Sequence, residues 1–246
     1  MSYSGLTGIV GTPQVGLAGL AGDTPPRLQP GLFTSFVDNW FGMGEFAFGR
    51  ASAAIRTMGL CQFAPVFDST LNSWRFDVAE VANTANLGVS LCTATQAFTT
   101  GQYGWFAISG LVPINCTSSL AAGTAIGIVA TGQAGVNSAG KQILNARVAA
   151  AATTTVIKTG CNAFNASNQL QIPNDGGWFV GAFLSGTGIA GGTTVLAIDP
   201  SGRFVTLSAN TTAAIVGGSI TATYNNGTIF YNLVHLNRPF AQGAIT

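Results

Sequence analysis

The chain holds one imidazole, His235, and eight carboxylates, so acid–base chemistry has few residues to draw on. A serine hydrolase would need His235 beside a nucleophile and a buried carboxylate. No G-x-S-x-G elbow occurs. Asn232-Leu233-Val234-His235-Leu236 has strand character, which makes His235 a hydrogen-bonded core or interface residue. Paired carboxylates could cleave a capsular sugar. Asp77 and Glu80 are close in sequence, but their odd spacing puts them on opposite faces of a strand. Asp175 and Asp199 are the other pair that could meet in space. With nine basic residues against eight acidic ones, structural ion pairs and solvated turns are the plainer reading of all four.

Gly186-Thr187-Gly188-Ile189-Ala190-Gly191 matches G-x-G-x-x-G. A dinucleotide site also needs a helix after the glycines and an acidic residue about 20 positions on. Thr193-Thr194-Val195-Leu196 follows instead, and no acidic residue occurs after Asp199. The segment reads as a glycine turn between strands. Cys61, Cys92, Cys116 and Cys161 show no C-x-x-C spacing. They allow three pairings, and without a recognisable signal peptide free buried thiols are expected. No P-loop, EF-hand loop or metal cluster is present. The expectation is no enzyme, no catalytic residue, no cofactor and no metal.

Composition narrows the partners. The chain is 47% hydrophobic and 7% charged, with a formal charge of +1. Isolated basic residues do not make a nucleic-acid groove. Leu120 to Val136 is the best membrane candidate, but it is short and carries Thr124, Thr131 and Gln133. Neither nucleic acid nor membrane is expected as a partner. From 81 to 140 there is no Asp, Glu, Lys or Arg. Such a neutral surface suits a protein held in a large assembly better than a free monomer.

Residues 1–31, with Gly at seven positions and Pro at four, read as an extended arm. Phe33, Phe36, Trp40, Phe41, Phe46 and Phe48 follow within seventeen residues. The spacing over 32–41 predicts a short amphipathic helix. Two readings of these aromatics stand, a core helix or a set of anchors at a partner interface. Beyond Arg50 the pattern is mainly β. Trp74 to Val78 alternates with period two, and strands are expected at 87–92, 102–109, 124–130 and 141–148. A second unit is expected at 156–224, with strands at 178–184, 193–198, 203–208 and 218–223, and a hairpin at Asp199-Pro200-Ser201-Gly202. Thr228 to His235 returns to strand character.

The fold expected is mainly β, with a β-barrel or β-sandwich-like core. It has an arm and aromatic segment at 1–50, a core at 51–155 plus 225–246, and a small β domain inserted at 156–224. Strand 141–148 would then pair with 228–235.

The stretch GWFAISGLVPINCTSSLAAGTAIGIVATGQAGVNSAGKQILNARV, residues 104–148, resembles head decoration (cement) proteins of tailed bacteriophages. GWFVGAFLSGTGIAGGTTVLAIDPSGRFVTLSANTTAA, residues 177–214, resembles a β module common in phage structural proteins. The resemblance implies a structural virion protein on the capsid exterior, assembled in the host cytoplasm. Its partners would be the major capsid protein and copies of itself, as a homotrimer. A different reading is a receptor- or glycan-binding fibre or knob component, with Trp178 and Phe179 facing sugar.

Overall fold

The computed structural model describes residues 33–38, 41–69, 72–199 and 201–243. The first stretch of strands is β1 (Phe33–Asp38), β2 (Gly42–Ala51), β3 (Leu60–Asp68), β4 (Ser73–Glu80), β5 (Leu91–Ala94) and β6 (Tyr103–Cys116). Next come β7 (Ala125–Ala130), β8 (Gln133–Val136), β9 (Gln142–Ala150), β10 (Thr155–Ala163) and β11 (Gln169–Gln171). The remainder are β12 (Phe183–Ser185), β13 (Val195–Ile198), β14 (Phe204–Leu207), β15 (Ile215–Thr223) and β16 (Phe230–Ala241). The chain is mainly β, and its sheets close into rings.

The first ring runs β2–β4–β3–β5–β6 and returns from β6 to β2 through pairs such as Phe48↔Trp105. Small side chains let it close tightly around Ala47, Ala51, Cys61, Cys92, Ala94, Phe106 and Ile108. The second ring runs β6–β16–β9–β7–β8 and closes at Cys116↔Ala134. The two rings share β6, whose fourteen residues are long enough to serve both. At Ser109 the strand leaves Glu45 of β2 and takes up Asn237 of β16. Gly110 marks this crossover with φ +106°, and a Cβ there would lie 2.7 Å from the Met43 carbonyl oxygen.

The expected pairing of the strands flanking 156–224 is present, as Val234↔Val148 and Leu236↔Ala146. Between them the chain forms a six-stranded sheet, β12-β15-β10-β11-β14-β13. Its ends meet, closing a third ring, where Val195 N–H donates to Ala182 O and Leu184 N–H donates to Thr193 O, at 3.0 and 2.8 Å. One apolar cluster continues from the second ring into this sheet. Phe179 and Phe183 pack on Tyr231 of β16 with ring centroids 5.4 and 6.0 Å apart. Asn232 ties the joint: its Oδ1 accepts from Leu120 N and Ala152 N, and its Nδ2 donates to Ser118 O.

Three expectations need correction. Residues 33–38 are strand, not helix, because β1 finds a continuous antiparallel partner in β2, from Phe33↔Ala47 to Asp38↔Gly42. Residues 42–50 belong to the first ring, not to the arm, since β2 is paired on both edges. The strand expected at 178–184 is mostly a buried turn. Gly181, at φ +97°, breaks the run, and only Phe183–Ser185 is laddered.

Candidate docking surface

The β3–β4 hairpin sorts its side chains by chemistry. Directly opposed residues of an antiparallel pair share a face. The register Phe63↔Val78, Pro65↔Phe76 and Phe67↔Trp74 puts six apolar side chains on one face. Ala64↔Asp77 and Val66↔Arg75, with Asp68, form the other. On that second face Arg75 bridges Asp68 and Asp77, with Nε 2.8 Å from Asp77 Oδ1. The Asp77 hydrogen bond raises the pKa of the Arg75 guanidinium, against the opposing effect of its burial. The Asp68–Arg75–Asp77 ion pairs thus lie on one side of the outer part of the hairpin, while Glu80, opposite Cys61 at its inner end, pairs with Arg56.

The apolar face is a run of ring contacts. Phe63 and Phe33 both meet Phe76 edge-on, with centroids 5.2 and 5.6 Å apart. Phe67 meets Trp74 at 5.6 Å in the same manner. Phe33, Phe67 and Trp74 remain 50%, 49% and 63% exposed. At the root of this face lies a groove of about 250 Å³ lined by Phe33, Phe63, Leu91, Ile108 and Pro239. A second groove, of about 520 Å³, adjoins it across Arg238. Arg238 holds a left-handed backbone, φ +49°, and reaches Glu45 at 3.2 Å.

Of the six expected anchors, only Phe33 has a described side chain on this surface. Phe41, Phe46 and Phe48 are buried in the chain's own core, so the expectation that they face a partner is corrected. The reason is that β2 is covered on both faces: Ala47 points into the first ring, and Phe48 packs on Trp105 at 5.2 Å. The side chain of Phe36 and all of Trp40 lie outside the described residues. Phe67 and Trp74 were missed. The signal was available in the period-two pattern of Phe63, Pro65 and Phe67 facing that of Trp74, Phe76 and Val78.

The residues considered for catalysis are placed as follows. His235 is exposed on β16, opposite Leu111 and Arg147, which removes the core half of the expectation and leaves the interface half. Asp77 binds Arg75, and Glu80 accepts two side-chain bonds and one backbone bond from Arg56. Asp199 accepts from Ser201, Arg203 and Phe204 in its own turn. Burial works against its ionised form, yet these donors together hold its pKa below the ordinary carboxylate value. Asp175 abuts the same turn, 2.8 Å from where a Cβ on Gly202 would be. The G-x-G-x-x-G segment joins β12 to β13. Trp178 and Phe179 are fully buried, which removes them as a sugar-facing platform. All four cysteines are free and buried. Among the described residues no group of three His, Cys, Asp or Glu is placed to hold a metal ion.

Lys158, buried in the third ring, donates to Asn174 Oδ1 and Gly176 O at 2.9 and 2.8 Å and lies over the Trp178 ring. Desolvation lowers its pKa, and its contacts fasten the loop at 174–178 to β10. A scan against protein-family models and searches of curated proteins and solved structures found no match.

Proposed function

We propose that the chain is a structural adhesion protein that binds and stabilises the capsid shell of a tailed phage from outside. The observation that carries the adhesive part is the aromatic face at the outer end of the β3–β4 hairpin, continued by Phe33. Aromatic side chains gathered on one face are the residues that dominate protein–protein contacts. The exposed halves of Phe33, Phe67 and Trp74 amount to about 300–400 Å², from aromatic areas of 150–250 Å² each. Covering them gives about 8–10 kcal/mol of gross hydrophobic gain at 25 cal/mol per Å². Association costs are of similar size, so one contact is weak and many copies, or a trimer, hold together by avidity. The capsid shell as partner rests on the resemblance of residues 104–148 and 177–214 to phage structural proteins.

The test is co-sedimentation of the purified chain with capsid shells of its virus, alongside Phe67→Ala/Trp74→Ala. The double variant keeps its circular dichroism and binds shells at least tenfold more weakly. An unchanged affinity, or labelled protein found on no part of the head in micrographs, overturns the proposal.

A further inference from the structure

Cys61 of β3 and Cys92 of β5 are directly opposed in antiparallel register, and both are fully buried inside the first ring. Backbone bonds flank them two residues away on either side: Phe63 N–H to Ser90 O and Ala94 N–H to Gly59 O. This makes 61 and 92 a hydrogen-bonded pair of the ladder, for which Cα atoms stand about 5.5 Å apart. A disulfide spans Cα separations of about 4.4–6.8 Å. Both side chains point into the same small cluster. The Cys61 thiol donates to Gly59 O at 3.4 Å. Cys116 and Cys161 have no such neighbour: the strands place Phe230 and Ala134 opposite the first and Gly218 opposite the second.

We propose that Cys61 and Cys92 are a latent cross-link, reduced in the cytoplasm and joined as a disulfide when the chain meets peroxide. Peroxide transfers one oxygen to one sulfur, giving a sulfenic acid and a water. The second sulfur then attacks the first, the S–O bond breaks, and hydroxide leaves with the thiol proton as a second water. Two thiols and one peroxide become one disulfide and two waters. Burial holds the Cys92 thiol well above its ordinary pKa, so thiolate is scarce and the reaction is slow. The bond would close a ring of chain from 61 to 92 that contains the whole β4 strand and most of β3. The hairpin with the aromatic face would then be stapled to β5.

The full chain is incubated with hydrogen peroxide, and thiols are counted after denaturation. Two of the four thiols are lost, the mass falls by two hydrogens, and a peptide map joins the segments holding Cys61 and Cys92. The thermal midpoint rises by roughly 5–10 °C. Cys92→Ser abolishes the link, and Cys116→Ala/Cys161→Ala retains it. A link through Cys116 or Cys161, oxygen adducts without a link, or four intact thiols where the unfolded chain oxidises would each overturn the proposal.

Discussion

Asn232 is the place to test how β16 is fastened to the loop after β6 and to the segment that leads from β9 into the six-stranded sheet. Its side chain is fully buried and makes three hydrogen bonds of 2.8–2.9 Å to the backbone at 118, 120 and 152. Two of these groups, the amides of Leu120 and Ala152, belong to buried residues. Asn232→Ala removes three bonds worth about 1 kcal/mol each and strands two donors and an acceptor away from water. The expected loss is about 3–5 kcal/mol, or roughly 10 °C in thermal midpoint for a chain of this size. Urea unfolding followed by circular dichroism measures it. Asn232→Asp separates shape from donor capacity, since it keeps the acceptor for Leu120 and Ala152. Ionised, it sets a carboxylate against the Ser118 carbonyl in a dry site, which raises its folded-state pKa above the unfolded value. A raised pKa gives stability that is present in acid and lost as pH rises. That variant should therefore be closer to wild type in mild acid than at neutral pH. A loss under 1 kcal/mol for Asn232→Ala would refute the claim that this amide fastens the joint.

Three other outcomes are expected. Gly110→Ala puts a Cβ 2.7 Å from the Met43 carbonyl oxygen at φ +106°, and should cost about 2–4 kcal/mol in urea unfolding. Asp199→Asn should be destabilising at neutral pH; because the Asp199 pKa is depressed, the gap to wild type should shrink as pH falls through it, read from thermal midpoints across an acid series. Excising 156–224 and joining the flanks by a short Gly/Ser bridge should leave a folded two-ring unit. The flanks already meet where Asn225 Nδ2 donates to Ala152 O at 2.7 Å, and aggregation in place of cooperative unfolding would show that the third ring is indispensable.

Much of the ladder was legible because period-two alternation is local. Trp74 to Val78 and the runs inside β6, β7, β9 and β14 each announce themselves over a few residues. The failures have physical causes. Phe33, Phe36, Val37, Trp40 and Phe41 also satisfy helical spacing, and only the partner strand β2 decides between the two periods. Trp178 to Ala182 is apolar and buried in a turn, and an apolar run does not distinguish that from a strand. The alternation of β3 is blurred because Ala64 and Val66 on its other face are also apolar, and Pro65 is a residue that strands rarely hold. The aromatic face was half visible: the Trp74 strand was read, but its partner Phe67 requires the hairpin register. Ring closure left no local signal at all, since β2 and β6 lie some sixty residues apart.

The shared strand has a consequence for how the chain is made. β6, β7, β8 and β9 leave the ribosome with their ring still open, because its last member is β16. About 80 residues separate the end of β9 from the start of β16. At synthesis rates of about 5–20 residues per second, that is an interval of roughly 4–16 s. During it the edges of β6 and β9 that β16 will occupy have no partner, and unpaired edges invite other chains. The six-stranded sheet emerges in the same interval and can close by itself, delivering β16 to the gap from a fixed start at Tyr231. Slowing translation between 155 and 229 should therefore lower soluble yield more than slowing it before 100, a kinetic hazard created by using one strand to build two rings.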